Sequence, residues 1–287
     1  MISSSTHRDR IRRLVDRAGS AVTVAAVVLA LVPLIALMAF VIERGGSSIS
    51  WHFFTENPLG PDGGGVEPMI IGSLLVVGMA SAVGIPFGLL SGIYLARTEP
   101  SRLAPAARFV IDVIAGTPSI LAGVIVAALI VIPTTNESAM SAALALALLM
   151  FPTVARATEA ALRSVPTELR EAALALGAPE WKLMARVTIP SAAAGIVTAL
   201  ILGVARVAGE TAPLYLTMGY NNFLSTNVRS GPMASLPVQI WIDATTGLPS
   251  DAQIAFAGAL VLFALVAILN LVARILTYRL SKRTRIA

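Results

Sequence analysis

Few residues of this 287-residue chain are of a type that does chemistry, and the most telling pair sits where charge is expensive. Arg206 and Glu210 fall inside an apolar run from Ser191 to Met218. An arginine near the centre of a membrane span costs at least ~2.5–3.5 kcal/mol on insertion scales, so it is either paired or functional. Four residues apart on a helix, the two side chains are within reach of a local ion pair. Pro213 has no amide hydrogen, which leaves the Gly209 carbonyl without its helical partner and lets the segment bend. Two readings stand side by side. In one, the pair braces the fold, internally or across to a partner subunit. In the other, Arg206, Glu210, Thr211 and Pro213 line a translocation route, and the guanidinium offers charge to an anion. Gly116-Thr117-Pro118-Ser119 is a second polar irregularity, with Thr117 and Ser119 able to face a channel. It reads equally as a proline kink patched by hydroxyls. Asp112, shortly before it, is expected to face water or Arg108 at i−4.

Several function classes are excluded. The chain has no cysteine, which removes disulfides, thiolate metal sites and cysteine nucleophiles. Its two histidines, His7 and His52, are too few and too far apart for a histidine metal site. No apolar run contains a histidine, and Asp112 and Glu210 have no evident partner acid, so intramembrane proteolysis is rejected. A phosphate-cradling Gly-x-x-x-x-Gly-Lys-Ser/Thr loop needs a lysine in the right setting. The only two lysines, Lys182 and Lys282, follow Trp181 and Ser281. Energy for any transport must then come from another polypeptide or from an ion gradient. Gradient-driven carriers typically place several carboxylates or broken helices at mid-membrane, and Glu210 with Asp112 is thin support for one. No cofactor or metal is expected on this chain. Gly60-Pro61-Asp62-Gly63-Gly64-Gly65 has no following lysine and reads as a flexible loop.

The elements that position these residues are membrane spans. Hydrophobic residues make up 56% of the chain and charged ones 13%, with a mean hydropathy of +0.81. A soluble domain carries about 25% charged residues, so lipid must solvate much of this surface. Six runs approach the roughly 20 apolar residues that cross a bilayer: Ser20–Ile42, Met69–Ala96, Phe109–Ile132, Ser138–Ala155, Ser191–Met218 and Ile254–Ile275. The first is too long for a secretory signal core and reads as a retained anchor. Basic residues near spans stay cytoplasmic. With the N-terminus inside, 18 of the 21 basic residues fall on the inner side and two, Arg44 and Arg229, on the outer side, while Arg206 lies within a span. Both termini are then cytoplasmic, and the net charge of +5 is a topology signal that calls for no nucleic acid.

The expected fold is therefore an all-α integral membrane protein with six transmembrane helices. Residues 1–19 form a cytoplasmic tail, 20–68 the first span and an outer loop, 69–277 the core, and 278–287 a basic cytoplasmic tail. Trp51, Phe53 and Phe54 suit the membrane interface. In the outer loop at 219–250, Met233 to Trp241 reads either as a short interfacial helix or as plain connection.

The inner loop at 156–190 is the most informative segment. Leu162, Val165, Leu169, Ala173 and Leu176 recur at helical spacing as one apolar stripe. Pro166 and Glu168 suit a helix's first turn and Gly177 its left-handed end. Pro179 and Glu180 start a second helix carrying Trp181, Met184 and Val187. Two amphipathic helices meeting at a sharp turn form a docking element, whose apolar stripe needs a partner surface.

Glu171-Ala172-Ala173, three residues, Gly177-Ala178, and then Val187-Thr188-Ile189-Pro190 resembles the EAA loop of type I ABC-importer permeases. The family pattern separates Gly from Glu-Ala-Ala by three residues and Ile-x-Leu-Pro from that Gly by nine. Both spacings are kept here, with Val187 and Ile189 as conservative departures. The stretch from Ala205 to Leu214, the Gly116–Ile120 segment and the run from Ala155 to Pro166 are similar to signatures of the phosphate-importer permeases, and the Thr-Ala-Pro after Glu210 to their A-type subunit. The resemblance implies a permease in the cytoplasmic (inner) membrane of a prokaryote. It also implies that the loop, through Glu168, Glu171, Ala172, Ala173, Gly177, Ala178 and Pro190, couples to an ATPase subunit that holds the ATP and Mg. Its implied partners are a homologous second permease (a heterodimer), two ATPase subunits and an external phosphate-binding protein. A related oxyanion such as sulfate or molybdate, or an ion-coupled carrier, is the alternative.

Overall fold

The computed structural model describes residues 5–58, 64–97 and 102–284, and residues 60–63 of the glycine-rich loop lie outside them. No strand occurs among the described residues. The helices are α1 Ser5–Gly45, α2 Trp51–Thr55, α3 Glu67–Leu95, α4 Ala104–Gly116 and α5 Ser119–Thr134. They continue with α6 Ala139–Arg163, α7 Thr167–Ala175, α8 Glu180–Ser191 and α9 Ala193–Ala208. The last three are α10 Ala212–Met218, α11 Leu236–Thr245 and α12 Pro249–Thr284.

Among the described residues, four helices (α1, α3, α6 and α12) are each long and apolar enough to cross a bilayer, and counting each of two bent pairs as one span gives six. The third expected span is one of these pairs: α4 and α5 meet at 100°. Thr117-Pro118 is thus a break and not a simple kink, because Pro118 holds an extended backbone (ψ 137°) at the head of α5 and biases Thr117 out of the helical region. The fifth expected span divides into α9, an unwound Gly209–Thr211 segment, and α10. Pro213 lies in the first turn of α10, where its missing amide hydrogen costs least.

Helices also outrun their apolar segments. The first begins at Ser5 rather than Ser20, the fourth runs on from Ala155 to Arg163, and the last reaches Thr284. Hydropathy marks where an apolar run stops, whereas helix formers such as Ala157, Ala160 and Leu162 carry the helical backbone on past it. Two π-helical segments, Ala127–Val131 and Met184–Thr188, each precede a proline, Pro133 and Pro190. Widening the turn there relieves the clash between the ring and the carbonyl four residues earlier.

The core centres on α6, two-thirds buried along its apolar stretch, and α3 lies against it through small residues. Gly84, Gly88 and Gly92 stand at four-residue spacing opposite Met150, Val154 and Thr158. A Cβ on Gly88 would sit 2.7 Å from the Val154 side chain, and one on Gly92 2.6 Å from that of Thr158. This is the small-residue seam by which helices associate in lipid, where close backbone approach replaces the hydrophobic drive. Gly203 of α9 meets Val154 from the other side.

The segment around Met233–Trp241 forms a helix rather than a plain loop. It starts at Leu236, and Met233, Ala234, Leu236 and Val238 are buried. The Leu236 amide donates to Ser73 Oγ at 2.9 Å, and the Ala234 carbonyl fills the space that a side chain on Gly72 would need. Phe53 joins the same cluster with Val66, Met69 and Ala257. It is therefore a core residue, and only Trp51 and Phe54 of the expected aromatic patch stay exposed.

Candidate functional site

The hairpin α7–α8 has the turn expected of it. Pro166 caps α7 and Glu168 lies in its first turn. At the other end the Gly177 amide donates to the Leu174 carbonyl at 2.9 Å, and the Ala178 amide to the Ala173 carbonyl at 3.1 Å. With Gly177 at φ +76° this is a Schellman closure, which needs a residue free to adopt the left-handed conformation. Pro179 caps α8 and Glu180 opens it. Ala173 and Ala178 are half-buried at the turn, while Glu168, Glu171, Ala172, Gly177 and Pro190 are exposed.

The expected apolar stripe is divided. Leu162 and Val165 are buried with Met184 and Ala192, because the chain turns at Ser164 and α7 starts afresh. On α7, at the turn and at the start of α8 the apolar surface faces outward: Leu176 is 89% exposed and Trp181 64%, with Leu169 and Leu174 also exposed, while Leu183 is buried. α7 has no buried residue at all. A folded hairpin that leaves Leu169, Leu174, Leu176 and Trp181 uncovered has a surface suited to a partner.

Behind the hairpin lies an ion-pair cluster. Glu159 of α6, whose side chain is 7% exposed, is met by Arg108 Nε of α4 at 2.9 Å, Arg156 Nη1 at 3.0 Å and Arg163 Nε at 3.1 Å. Arg156 also pairs with Asp112 of α4, its Nε donating to Oδ1 at 2.8 Å. The expected Arg108–Asp112 contact is thus replaced: Asp112 takes Arg156, and Arg108 reaches across to Glu159. Arg108 and Arg163 both donate to the Leu95 carbonyl, at 2.8 and 3.1 Å, closing the end of α3. From α7, Arg170 donates to the Leu162 carbonyl. One cluster therefore joins α3, α4 and α6, and α7 hangs from its edge. The Arg156, Glu159, Arg163 spacing was visible on one helix face, but nothing local pointed to Arg108, 51 residues before Glu159.

The second candidate region lies at the two broken spans. α9 ends at Ala208 with Gly209 as its cap (φ −104°, ψ 7°), so Glu210 leaves the helix and the i,i+4 geometry lapses. Among the described residues no ion pair joins Arg206 to Glu210. Arg206 is exposed on the chain and Glu210 half-exposed. Thr211 Oγ1 lies 3.5 Å from the Pro237 carbonyl, tying the break to α11. Thr117 Oγ1 donates back to the Val113 carbonyl at 2.8 Å, the patch expected at a proline, and Ser119 opens α5. The half-helices that follow the two breaks pack together, since a Cβ on Gly123 would lie 2.8 Å from the Pro213 Cα. Chemically the region offers the Arg206 guanidinium, without an ion-pair partner among the described residues, at a deformable backbone, with the Thr117 and Thr211 hydroxyls already bonded. The described residues contain no cluster of three or more metal-ligating side chains.

The family model for binding-protein-dependent transport system inner membrane components matches residues 84–286. The chain is 38% identical over 265 residues to the phosphate transport system permease protein PstA 1 of Mycobacterium tuberculosis, covering 90% of this chain and 86% of that protein. It is 36% identical over 279 residues to PstA of Yersinia pestis (96% and 94% covered) and 37% over 282 residues to PstA of Xylella fastidiosa (97% and 98%). Among solved structures, a chain of the MetNI methionine ABC transporter superposes with a TM-score of 0.63 at 19% identity, over 75% of this chain and 95% of that one. A chain of a bacterial alginate ABC transporter gives 0.65 at 15% identity over 98% of each. At these identities the structural likeness speaks for the fold alone.

Proposed function

The chain belongs to the family of binding-protein-dependent transport system inner membrane components, and on that footing we propose that it is the permease subunit through which an ATP-driven importer moves inorganic phosphate into the cell. Three relatives at 36–38% identity over most of their length carry phosphate-transport names, and they support the substrate. The observation that carries the coupling role is the glycine-closed α7–α8 hairpin, with Leu176 and Trp181 left exposed.

In this reading both termini and the hairpin are cytoplasmic, and residues 156–190 are the coupling region. The hairpin seats in an ATPase subunit that holds ATP and Mg, with two such subunits serving this chain and a homologous second permease. An external binding protein delivers phosphate between the two permeases. Closure of the ATPases pushes on α7. The Arg170–Leu162 contact passes that push to the end of α6, and the Glu159 cluster passes it on to α3 and α4. Arg206, which has no ion-pair partner among the described residues, faces the second permease or the route between them, where a guanidinium suits an oxyanion geometrically. Glu210, Thr211, Pro213, Thr117 and Ser119 supply the deformable backbone around it.

The test is uptake of radiolabelled phosphate at low external concentration in cells with and without the gene, with unlabelled phosphate or sulfate as competitors. Uptake lost on deletion, restored by the gene and insensitive to sulfate supports phosphate. Competition by sulfate moves the assignment to another oxyanion. Unchanged uptake in cells lacking other phosphate transporters removes the substrate assignment.

A further inference from the structure

At the opposite end of the molecule from the hairpin, α11 presents a buried polar face that no transport step above uses. Gln239 and Asp243 lie one turn apart and are 5% and 8% exposed. Gln239 Nε2 donates to Asp243 Oδ1 at 2.8 Å, and the Tyr220 hydroxyl is in hydrogen-bonding reach of both Gln239 and Asn222. Three oxygens of this group are buried with no partner: Asn222 Oδ1, Gln239 Oε1 and Asp243 Oδ2. All three are acceptors. A buried acceptor without a donor costs about 1–3 kcal/mol, more when charged, so this group, linked through the Gln239–Asp243 bond and the Tyr220 hydroxyl, calls for a guest that brings positive charge or donors.

No basic side chain meets this carboxylate among the described ion pairs. The charged group acting on it is a second acid, Asp251 at the start of α12. From α3, the uncharged Ser73 and Gly72 meet Leu236 and Ala234 at the start of α11. We propose that Asn222, Gln239 and Asp243, beside Tyr220, form a binding site for one alkali cation. The ligand set fits that class: oxygen donors only, which suit hard cations, and a single ligating carboxylate to balance a single positive charge. Burial and the nearby Asp251 disfavour the bare Asp243 carboxylate, a cost that a cation beside it would offset. The cation would lock α11 to the 219–222 turn, on the side where α3 and α12 converge. The site stands independently of the transported substrate.

The experiment is thermal unfolding of the detergent-solubilised full chain, with the subunits it retains, at pH 7.5. Sodium, potassium and N-methyl-D-glucamine chlorides are compared at equal ionic strength. A midpoint higher by about 3 °C or more in sodium or potassium, saturating with concentration as ligand linkage requires, and absent in Asp243→Asn, is expected. Equal midpoints in the three salts for the unsubstituted chain would overturn the proposal and leave water as the occupant. A response retained in Asp243→Asn would overturn it too. Because the salt titration needs no variant, a misfolded Asp243→Asn does not blunt the test.

Discussion

Replacing Glu159 by glutamine removes one charge from the point where three arginines converge. Each Arg–Glu contact, at 2.9–3.1 Å, is worth on the order of 4 kcal/mol in Coulomb terms at an effective dielectric of ~20. Against that stand the desolvation of a carboxylate, several kcal/mol, and the mutual repulsion of Arg108, Arg156 and Arg163. Breaking a buried pair from one side costs about 3–5 kcal/mol. Because the arginines keep 30%, 33% and 53% of their side-chain surface exposed, water will screen part of the loss, and ~3 kcal/mol is expected. Arg163→Ala removes the most exposed member and should cost about 1 kcal/mol or less, as surface pairs do. Thermal unfolding in detergent, with limited proteolysis of the 98–103 and 164–179 segments, reads both. The expected order is a large downshift and faster cleavage for Glu159→Gln, with Arg163→Ala near the unsubstituted chain. A Glu159→Gln midpoint indistinguishable from that of the unsubstituted chain, or an inverted order, would show that the cluster does not hold α3, α4 and α6 together.

Three further outcomes follow from the geometry. Gly88→Leu forces a side chain into the 2.7 Å gap to Val154 and should cost about 1–3 kcal/mol by overpacking. Gly78→Ala, with nothing near its Cβ, should be neutral, and yield and monodispersity in detergent would separate the two. In alkali-free buffer the raised Asp243 carboxyl binds its proton more tightly folded than unfolded. Its contribution is therefore full below the unfolded pKa of ~4 and lost as pH climbs through about 6. Between pH 5 and 7 the chain should lose ~1 kcal/mol of stability, a slope that Asp243→Asn flattens. Arg206→Gln should cut phosphate uptake at least tenfold with little change in unfolding midpoint, since Arg206 has no described partner; a lowered midpoint with normal uptake would make the residue a brace.

What was legible in the sequence was what local patterns encode. Long apolar runs marked α1, α3, α6 and α12, and Gly177 with Pro179 marked the hairpin turn, because φ +76° and a fixed proline φ leave few alternatives. Proline and glycine at 116–118 and 209–213 marked where helices give way, but not by how much. A 100° bend depends on what α5 packs against, and Gly123 on Pro213 is a tertiary fact. Pairing failed for the same reason. Arg206 and Glu210 looked joined only on the assumption of an unbroken helix, and Asp112 looked joined to Arg108 because Arg156 was 44 residues away. The glycine seam of α3 was in plain view at four-residue spacing, yet its meaning needed Val154 and Thr158 opposite it. The burial of α11 had no sequence signal beyond Leu236 and Val238, since a helix that folds back among spans reads like any outer loop.

Coupling through the hairpin is the centre of the account, and Gly177 gives the sharpest access to it. Nothing lies near its Cβ, so Gly177→Val acts through the backbone alone, opposing a left-handed conformation that costs a β-branched residue roughly 1–2 kcal/mol. The measurement is phosphate moved per ATP hydrolysed in proteoliposomes carrying the assembled transporter, for the unsubstituted chain, Gly177→Val and Gly177→Asn. The expected result is ATP hydrolysis that persists in Gly177→Val while phosphate movement falls about tenfold or more, one decade per 1.4 kcal/mol, with Gly177→Asn recovering much of it. An unchanged ratio of phosphate to ATP in Gly177→Val would contradict the account.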